Sequence, residues 1–179
     1  MTFTKKELVE ILETALVIVV AVSMFFYGIG KPFQFTNETI QQLSVSELTS
    51  MELMWAFYGY SKSYAMTLGL FEILGGTLIL IKRTRIIGCL FTLTILVNVI
   101  LQDIFFKVHF GALKAAILYL LLILTILWLN KDNIIQSVKA LLIFNTSEEP
   151  KYKSIIKLII AFICFVLFRI IEYYLTIKW

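Results

Sequence analysis

Five long apolar runs constrain this chain more than any other feature of its sequence. They cover approximately residues 9–30, 60–81, 86–107, 111–130 and 154–177. Each is close to the ~20 residues that a helix needs to cross the hydrocarbon core of a bilayer, where backbone groups must pair internally. The composition agrees, because 60% of the residues are hydrophobic and 16% are charged, against about 45–50% and 25% in soluble domains. The sequence therefore predicts an all-α, polytopic membrane helix bundle.

The basic residues between these runs predict an orientation. Cytoplasmic loops of membrane proteins are enriched in Lys and Arg, and an N-terminus in the cytoplasm places ten basic residues inside and five outside. The inner set is Lys5, Lys6, Lys82, Arg83, Arg85, Lys131, Lys139, Lys151, Lys153 and Lys157, and the outer set is Lys31, Lys62, Lys107, Lys114 and Lys178. We therefore expect the C-terminus outside. Basic residues distributed in this way set topology and do not indicate nucleic-acid binding.

Two connections between the runs predict further helices. In the outer connection, Ser44-Val45-Ser46-Glu47 is a capping-box pattern followed by apolar residues at helical spacing, which predicts an interfacial helix near 44–58. The inner connection, 131–153, mixes apolar and polar residues and predicts an amphipathic helix on the inner leaflet. The expected organisation is a four-span bundle over 1–130, this inner connection, and a fifth transmembrane helix within 154–179.

Polar residues inside the runs indicate where a functional site would lie. Glu72 is ten residues from Lys82, or ~15 Å along a helix, near the middle of a ~30 Å core. Ionisable groups at this depth are costly and usually functional. We take Glu72, Asn98, Gly75, Gly76 and Asp103 as candidate residues of a ligand, proton or quinone site. The alternative is that Glu72 only associates helices, with the glycines allowing close helix packing.

Other reactive residues give weaker indications. Arg169 and Glu172 lie three residues apart in the fifth run, so they form an intramembrane ion pair with each other, or Arg169 pairs with Glu72. Cys89 and Cys164 form no C-x-x-C motif and are expected to be inert buried thiols. His109 is the only histidine, and no metal site or catalytic residue is predicted.

The stretch from Gly69 to Gly88 resembles the second-helix signature of the DoxX-like membrane family. In that family a Glu is followed by a glycine pair, an apolar run and a basic turn. The matching residues are Glu72, Gly75, Gly76, Arg83 and Arg85. Residues 54–61, Asn98–Asp103 and Phe106-Lys107-Val108 look like a bacterial subgroup of the family. The resemblance covers roughly residues 14–130.

This resemblance implies a compact DoxX-like four-helix core and a bacterial inner-membrane location. Relatives include the small membrane subunit of an archaeal thiosulfate:quinone oxidoreductase and bacterial proteins tied to oxidative-stress complexes. The fifth helix departs from the four-span pattern, so Arg169 and Glu172 inherit no role from the family.

Three functions stay open from the sequence. The leading hypothesis is an accessory or small-molecule-binding subunit, non-catalytic alone, which holds a quinone or lipid, or a membrane or soluble partner protein, beside Glu72. The second is the membrane subunit of a quinone-linked oxidoreductase, with quinone as its cofactor. The third is a small-solute transporter that acts as an oligomer, because five spans without inverted repeats make a monomeric transporter a poor fit.

Overall fold

The structure of the chain is a computed structural model. The residues that it describes are 2–36, 40, 42–142 and 150–177. They form seven helices: α1 (Lys5–Gln34), α2 (Ser50–Tyr60), α3 (Lys62–Leu80), α4 (Arg85–Phe105), α5 (Phe110–Leu129), α6 (Lys131–Leu142) and α7 (Lys151–Ile177). Five of these, α1, α3, α4, α5 and α7, are long and apolar enough to cross a membrane. The all-α class and the five apolar helices predicted from the sequence are thereby confirmed.

The chain divides into two compact units, Met1–Ser137 and Val138–Trp179. In the first unit, α1 packs against α3 and α5, and α4 also packs against α3 and α5, so that the four helices form a closed ring. Fully buried side chains from all four helices fill its centre, among them Val20, Met24, Ile79, Cys89 and Ile123. The short helix α2 packs against α3.

The second unit contains α7, which is described here by itself. Its segment from Lys151 to Thr176 is long and apolar enough in sequence to cross a membrane. Residues 143–149 of the predicted inner connection, and residues 178–179 of the predicted fifth segment, lie outside the described residues. Helix α6 occupies the first half of that connection, with Asp132 in its first turn and Lys139 in its last.

Helix α2 begins later than its capping-box pattern predicts. Ser44 and Glu47 do hydrogen-bond, with the Ser44 N–H 2.8 Å from Glu47 Oε2, but they close only a turn. The backbone of Thr49 is extended, and its hydroxyl and Glu52 form a second capping box that starts the helix at Ser50. The capping box at Thr49 and Glu52 therefore competes with a helix start at Ser44. Hydrogen bonds from the Thr49 hydroxyl and N–H hold the pKa of the Glu52 carboxyl below its ordinary value.

Two glycines allow α1 and α3 to touch along their backbones. A Cβ atom on Gly28 would lie 2.5 Å from the Gly69 carbonyl oxygen, and a Cβ on Gly69 would lie 2.5 Å from the Gly28 carbonyl oxygen. Further along, Gly76 faces Ala21 and Met24, so the two helices run antiparallel. Small residues at such crossings let membrane helices approach closely where the hydrophobic effect gives little driving force.

One end of the bundle is closed by a hydrogen-bonded polar cluster. Arg85 Nη1 lies 2.6 Å from Glu13 Oε1, and Arg85 Nε donates to the carbonyl of Ile79 at 3.3 Å. Asn130 Nδ2 donates to the same Glu13 oxygen at 3.0 Å and to the carbonyl of Ile126 at 2.9 Å. Because these residues come from α1, α3, α4 and the end of α5, the cluster joins all four helices of the ring.

We predict that Gly28→Ala destabilises the first unit by about 1–3 kcal/mol, the usual cost of overpacking a close contact. The added methyl group would overlap the Gly69 carbonyl. Gly30→Ala is the matched control, because a Cβ at Gly30 meets nothing within 4 Å. The measurement is the unfolding midpoint of each variant in detergent micelles. Equal midpoints for the two alanine variants would contradict the close contact.

We predict that Arg85→Gln lowers stability by about 1–3 kcal/mol, because it leaves the half-buried Glu13 carboxylate without its charged partner. Arg83→Gln, in the same turn but exposed, should change stability by less than about 0.5 kcal/mol. Unfolding by denaturant in micelles measures both effects. If the two variants behave alike, the polar cluster does not hold this end of the bundle.

Candidate functional site

A cavity of about 520 Å³ opens in the first unit at the end away from the Glu13–Arg85–Asn130 cluster. Helices α1 to α5 and the connection before α5 all contribute to its wall, which is mostly apolar. Three of the sequence-predicted site residues line it, namely Glu72, Asn98 and Asp103. The helix ring therefore brings together candidates from α3 and α4 that are up to 31 residues apart in the sequence.

Glu72 pairs with a lysine from the facing helix. Its Oε1 lies 3.3 Å from Lys31 Nζ, and both side chains are largely buried, with 6% and 12% of their surface exposed. Lys31 Nζ also donates to Gln34 Oε1 at 3.2 Å and lies 5.7 Å from the ring centre of Phe35. The second oxygen of Glu72, Oε2, is buried and has no hydrogen-bond partner among the described residues.

A second carboxylate faces the same cavity from α4. Asp103 is 6% exposed, and its Oδ2 is buried without a hydrogen-bond partner in the described part of the chain. The preceding residue, Gln102, donates a side-chain hydrogen bond to Asn98 one turn earlier on α4, and both residues line the cavity. The wall thus combines paired amides with two carboxylate oxygens that have unused acceptor capacity.

Gly75 and Gly76 are not among the residues that line the cavity. A Cβ on Gly75 would overlap Thr92 Oγ1 on α4, and a Cβ on Gly76 would lie 3.0 Å from the Ala21 carbonyl oxygen on α1. They occupy two packing faces of α3, which is the alternative role that the sequence left open. The glycines position Glu72 by allowing α3 to pack closely on both neighbours.

The ionisable residues of the fifth span pair with each other. Arg169 Nη1 on α7 forms an ion pair with Glu172 Oε2 one turn further along. This is the pairing expected for residues three apart on one helix. Within the first unit, Glu72 has Lys31 as its partner.

The sequence interpretation missed Lys31 and the aromatic residues as members of the site. The sequence assigns Lys31 to the outer topology residues, and the signal for its pairing with Glu72 is that a buried acid is stabilised by a basic partner. Three aromatic residues, Trp55, Tyr58 and Tyr64, also line the cavity.

The remaining reactive residues have ordinary structural environments. Cys89 is buried in the bundle core and Cys164 is exposed on α7, and both are free thiols. His109 caps the N-terminus of α5 by accepting from the Gly111 N–H at 3.1 Å. No group of three or more His, Cys, Asp or Glu side chains that could hold a metal ion occurs within the described ranges.

Comparison with known proteins identifies one informative relative. No protein-family model matches the chain, and no solved structure matches it significantly. An uncharacterized protein of Bacillus subtilis (strain 168), YwoB, is 31% identical to the chain over 113 residues, which cover 62% of this chain and 71% of that protein. This identity and coverage show common descent of most of both chains. The chain therefore belongs to the same family as YwoB of Bacillus subtilis.

Proposed function

We propose that this chain is an integral membrane accessory or small-molecule-binding subunit of the DoxX-like type. It would bind a hydrophobic ligand, such as a quinone or a lipid, in the cavity beside Glu72, and would present that ligand to a partner protein without catalysing a reaction alone. The cavity carries this proposal, because its volume of about 520 Å³ falls in the range of about 300–1,000 Å³ typical of small-molecule sites.

The polar groups of the cavity favour binding over a purely structural role. An ion pair between Lys31 and Glu72 would suffice to associate α1 with α3. It does not account for Glu72 Oε2 or for Asp103 Oδ2, which are buried beside open space and lack a partner in the described structure. Leaving buried acceptors unpaired costs about 1–3 kcal/mol each, so a ligand that pairs with them would recover this free energy.

The same geometry favours a position for the cavity near the outer membrane surface. Glu13 and Lys31 are 18 residues apart on α1, or ~27 Å along the helix axis, close to the ~30 Å thickness of the hydrocarbon core. If the N-terminus is cytoplasmic, as the distribution of Lys and Arg favours, the Glu13–Arg85–Asn130 cluster lies at the inner interface of a bacterial inner membrane. The cavity then opens toward the outer leaflet.

We predict that Ala112→Phe removes a bound small molecule from the purified protein. Ala112 lines the cavity, and a phenyl ring there would occupy space that the ligand needs. Leu118→Phe is the control, because Leu118 is exposed and does not line the cavity. Mass spectrometry of protein purified in mild detergent measures the molecules retained by each variant. The proposal is wrong if wild type and both variants retain the same molecules in the same amounts.

We also predict that Glu72→Gln weakens retention of the same molecule while most of the protein remains folded. The amide preserves the size of the side chain but removes its charge and its ion pair with Lys31. Retention is measured by the same mass spectrometry, and folding by the elution profile and helical circular dichroism. Unchanged retention in folded Glu72→Gln would remove Glu72 from the site.

A further inference from the structure

We infer that the ligand of this cavity carries a positively charged ammonium group on an apolar body. The inference rests on the proposed function, since it assigns a chemical class to the molecule held in the same cavity. It depends on the charge of the wall, on its unpaired acceptors and on its aromatic rings.

The formal charges of the side chains that line the cavity do not sum to zero. Among the described residues that line the cavity, Glu72 and Asp103 are acidic and Lys31 is the one Lys or Arg, so the ionised wall has a formal charge of −1. A buried carboxylate is costly unless it has a partner of opposite charge. A ligand with a single positive charge would neutralise the wall, whereas an anionic ligand would increase the imbalance.

The unpaired oxygens require a ligand that donates hydrogen bonds. Glu72 and Asp103 are 5% and 6% exposed, so both are more than nine-tenths buried, and each has one buried oxygen with no partner in the described structure. Ionised carboxylates only accept hydrogen bonds, and an ammonium group only donates them. A quinone carbonyl also only accepts, so it would pair with Lys31 and leave both carboxylate oxygens unsatisfied.

Aromatic rings form the part of the wall next to this charge. Phe35 and Tyr58 stack with ring centres 4.9 Å apart, and Tyr58 and Tyr64 stack at 5.9 Å. The ring of Trp55 lies next to this stack, with its centre 5.7 Å from the centre of the Phe35 ring. Cations bind over the faces of such rings within about 6 Å of the ring centre. The Lys31 ammonium already lies at this distance from Phe35 while paired to Glu72, which shows that these surroundings accommodate an ammonium group.

The rest of the wall is suited to the apolar body of the ligand. Met24, Leu68, Leu96, Val99 and Ala116 supply apolar side chains to the cavity wall. An amphiphilic amine would bury its hydrocarbon part against these side chains and direct its charged end to Asp103 and Glu72. Two sources share this chemistry, an amine-headgroup lipid and a free amphiphilic amine.

The test compares two small molecules with the same hydrocarbon body. 4-Phenylbutylamine is protonated at pH 7, and 4-phenylbutanol is its neutral counterpart. We expect the full-length protein in detergent micelles to bind the amine at least about tenfold more tightly, as measured by isothermal titration calorimetry. Asp103→Asn should abolish this preference, whereas Asp103→Glu should retain it because the charge remains. Asp132→Asn, in the exposed first turn of α6, is the charge-matched control and should behave as wild type.

The outcomes separate this inference from the proposed function. Equal affinities for the amine and the alcohol, both lost in Ala112→Phe, would overturn the ammonium assignment and leave a neutral-ligand site. If Ala112→Phe affects neither molecule, the proposed function fails together with the inference. A preference for the amine that persists in folded Asp103→Asn and in Glu72→Gln would also overturn the assignment of the charge to these carboxylates.

A lipid experiment distinguishes the two sources of the ammonium group. Wild type and Asp103→Asn are placed in nanodiscs containing phosphatidylglycerol with or without phosphatidylethanolamine, and retained lipids are identified by native mass spectrometry. Selective retention of phosphatidylethanolamine by wild type alone supports a lipid headgroup. Binding of 4-phenylbutylamine that phosphatidylethanolamine does not reduce supports a free amine. The inference is overturned if wild type prefers neither 4-phenylbutylamine over 4-phenylbutanol nor phosphatidylethanolamine over phosphatidylglycerol.

Discussion

The close antiparallel contact between α1 and α3 determines where the buried ion pair of the first unit lies. Gly28 and Gly69 have no side chain, so the two backbones meet directly, and this contact sets the register of the helices. In that register Lys31 reaches Glu72, and Gly76 packs beside Met24. A larger residue at either glycine would separate the helices and move the lysine away from the carboxylate. The position of the ion pair is thus a consequence of backbone packing.

The ion pair in turn explains how α1 can be longer than its apolar run. The helix continues through Lys31 and Pro32 to Gln34, although burial of a lysine is unfavourable unless its charge is paired. Pairing with Glu72, a hydrogen bond to Gln34 and a contact with the Phe35 ring compensate the Lys31 charge. Pro32 lies in the last turn of α1 and has no N–H to donate to the carbonyl four residues earlier. Phe35 follows as the C-terminal cap and lines the cavity.

The helices could be predicted from the sequence, because apolar length is a local property that the bilayer imposes on each segment separately. Glu72, Asn98 and Asp103 could be identified as candidate site residues for the same reason, since each is a polar residue inside an apolar run. The lysine partner of Glu72 could not be identified, because it depends on the register between α1 and α3. The packing of Gly75 against α4 and of Gly76 against α1 could not be predicted either, because sequence proximity to Glu72 does not show which helix a residue faces. The start of α2 depended on a competition between two similar capping boxes, at Ser44 and Thr49.

The two polar ends of the bundle differ in how many of their buried carboxylate oxygens accept hydrogen bonds. At one end, Glu13 accepts from both Arg85 and Asn130, and these donors also bond the carbonyls that end α3 and α5. A cluster that is hydrogen-bonded between helices in this way stabilises the fold. At the other end, Glu72 and Asp103 each keep a buried oxygen unpaired beside an open cavity. Both ends bury carboxylates. At the Glu13 end, the helices of the bundle supply the hydrogen-bond donors themselves. A molecule that enters the cavity and donates hydrogen bonds to Glu72 and Asp103 is the role that we propose for this end of the bundle.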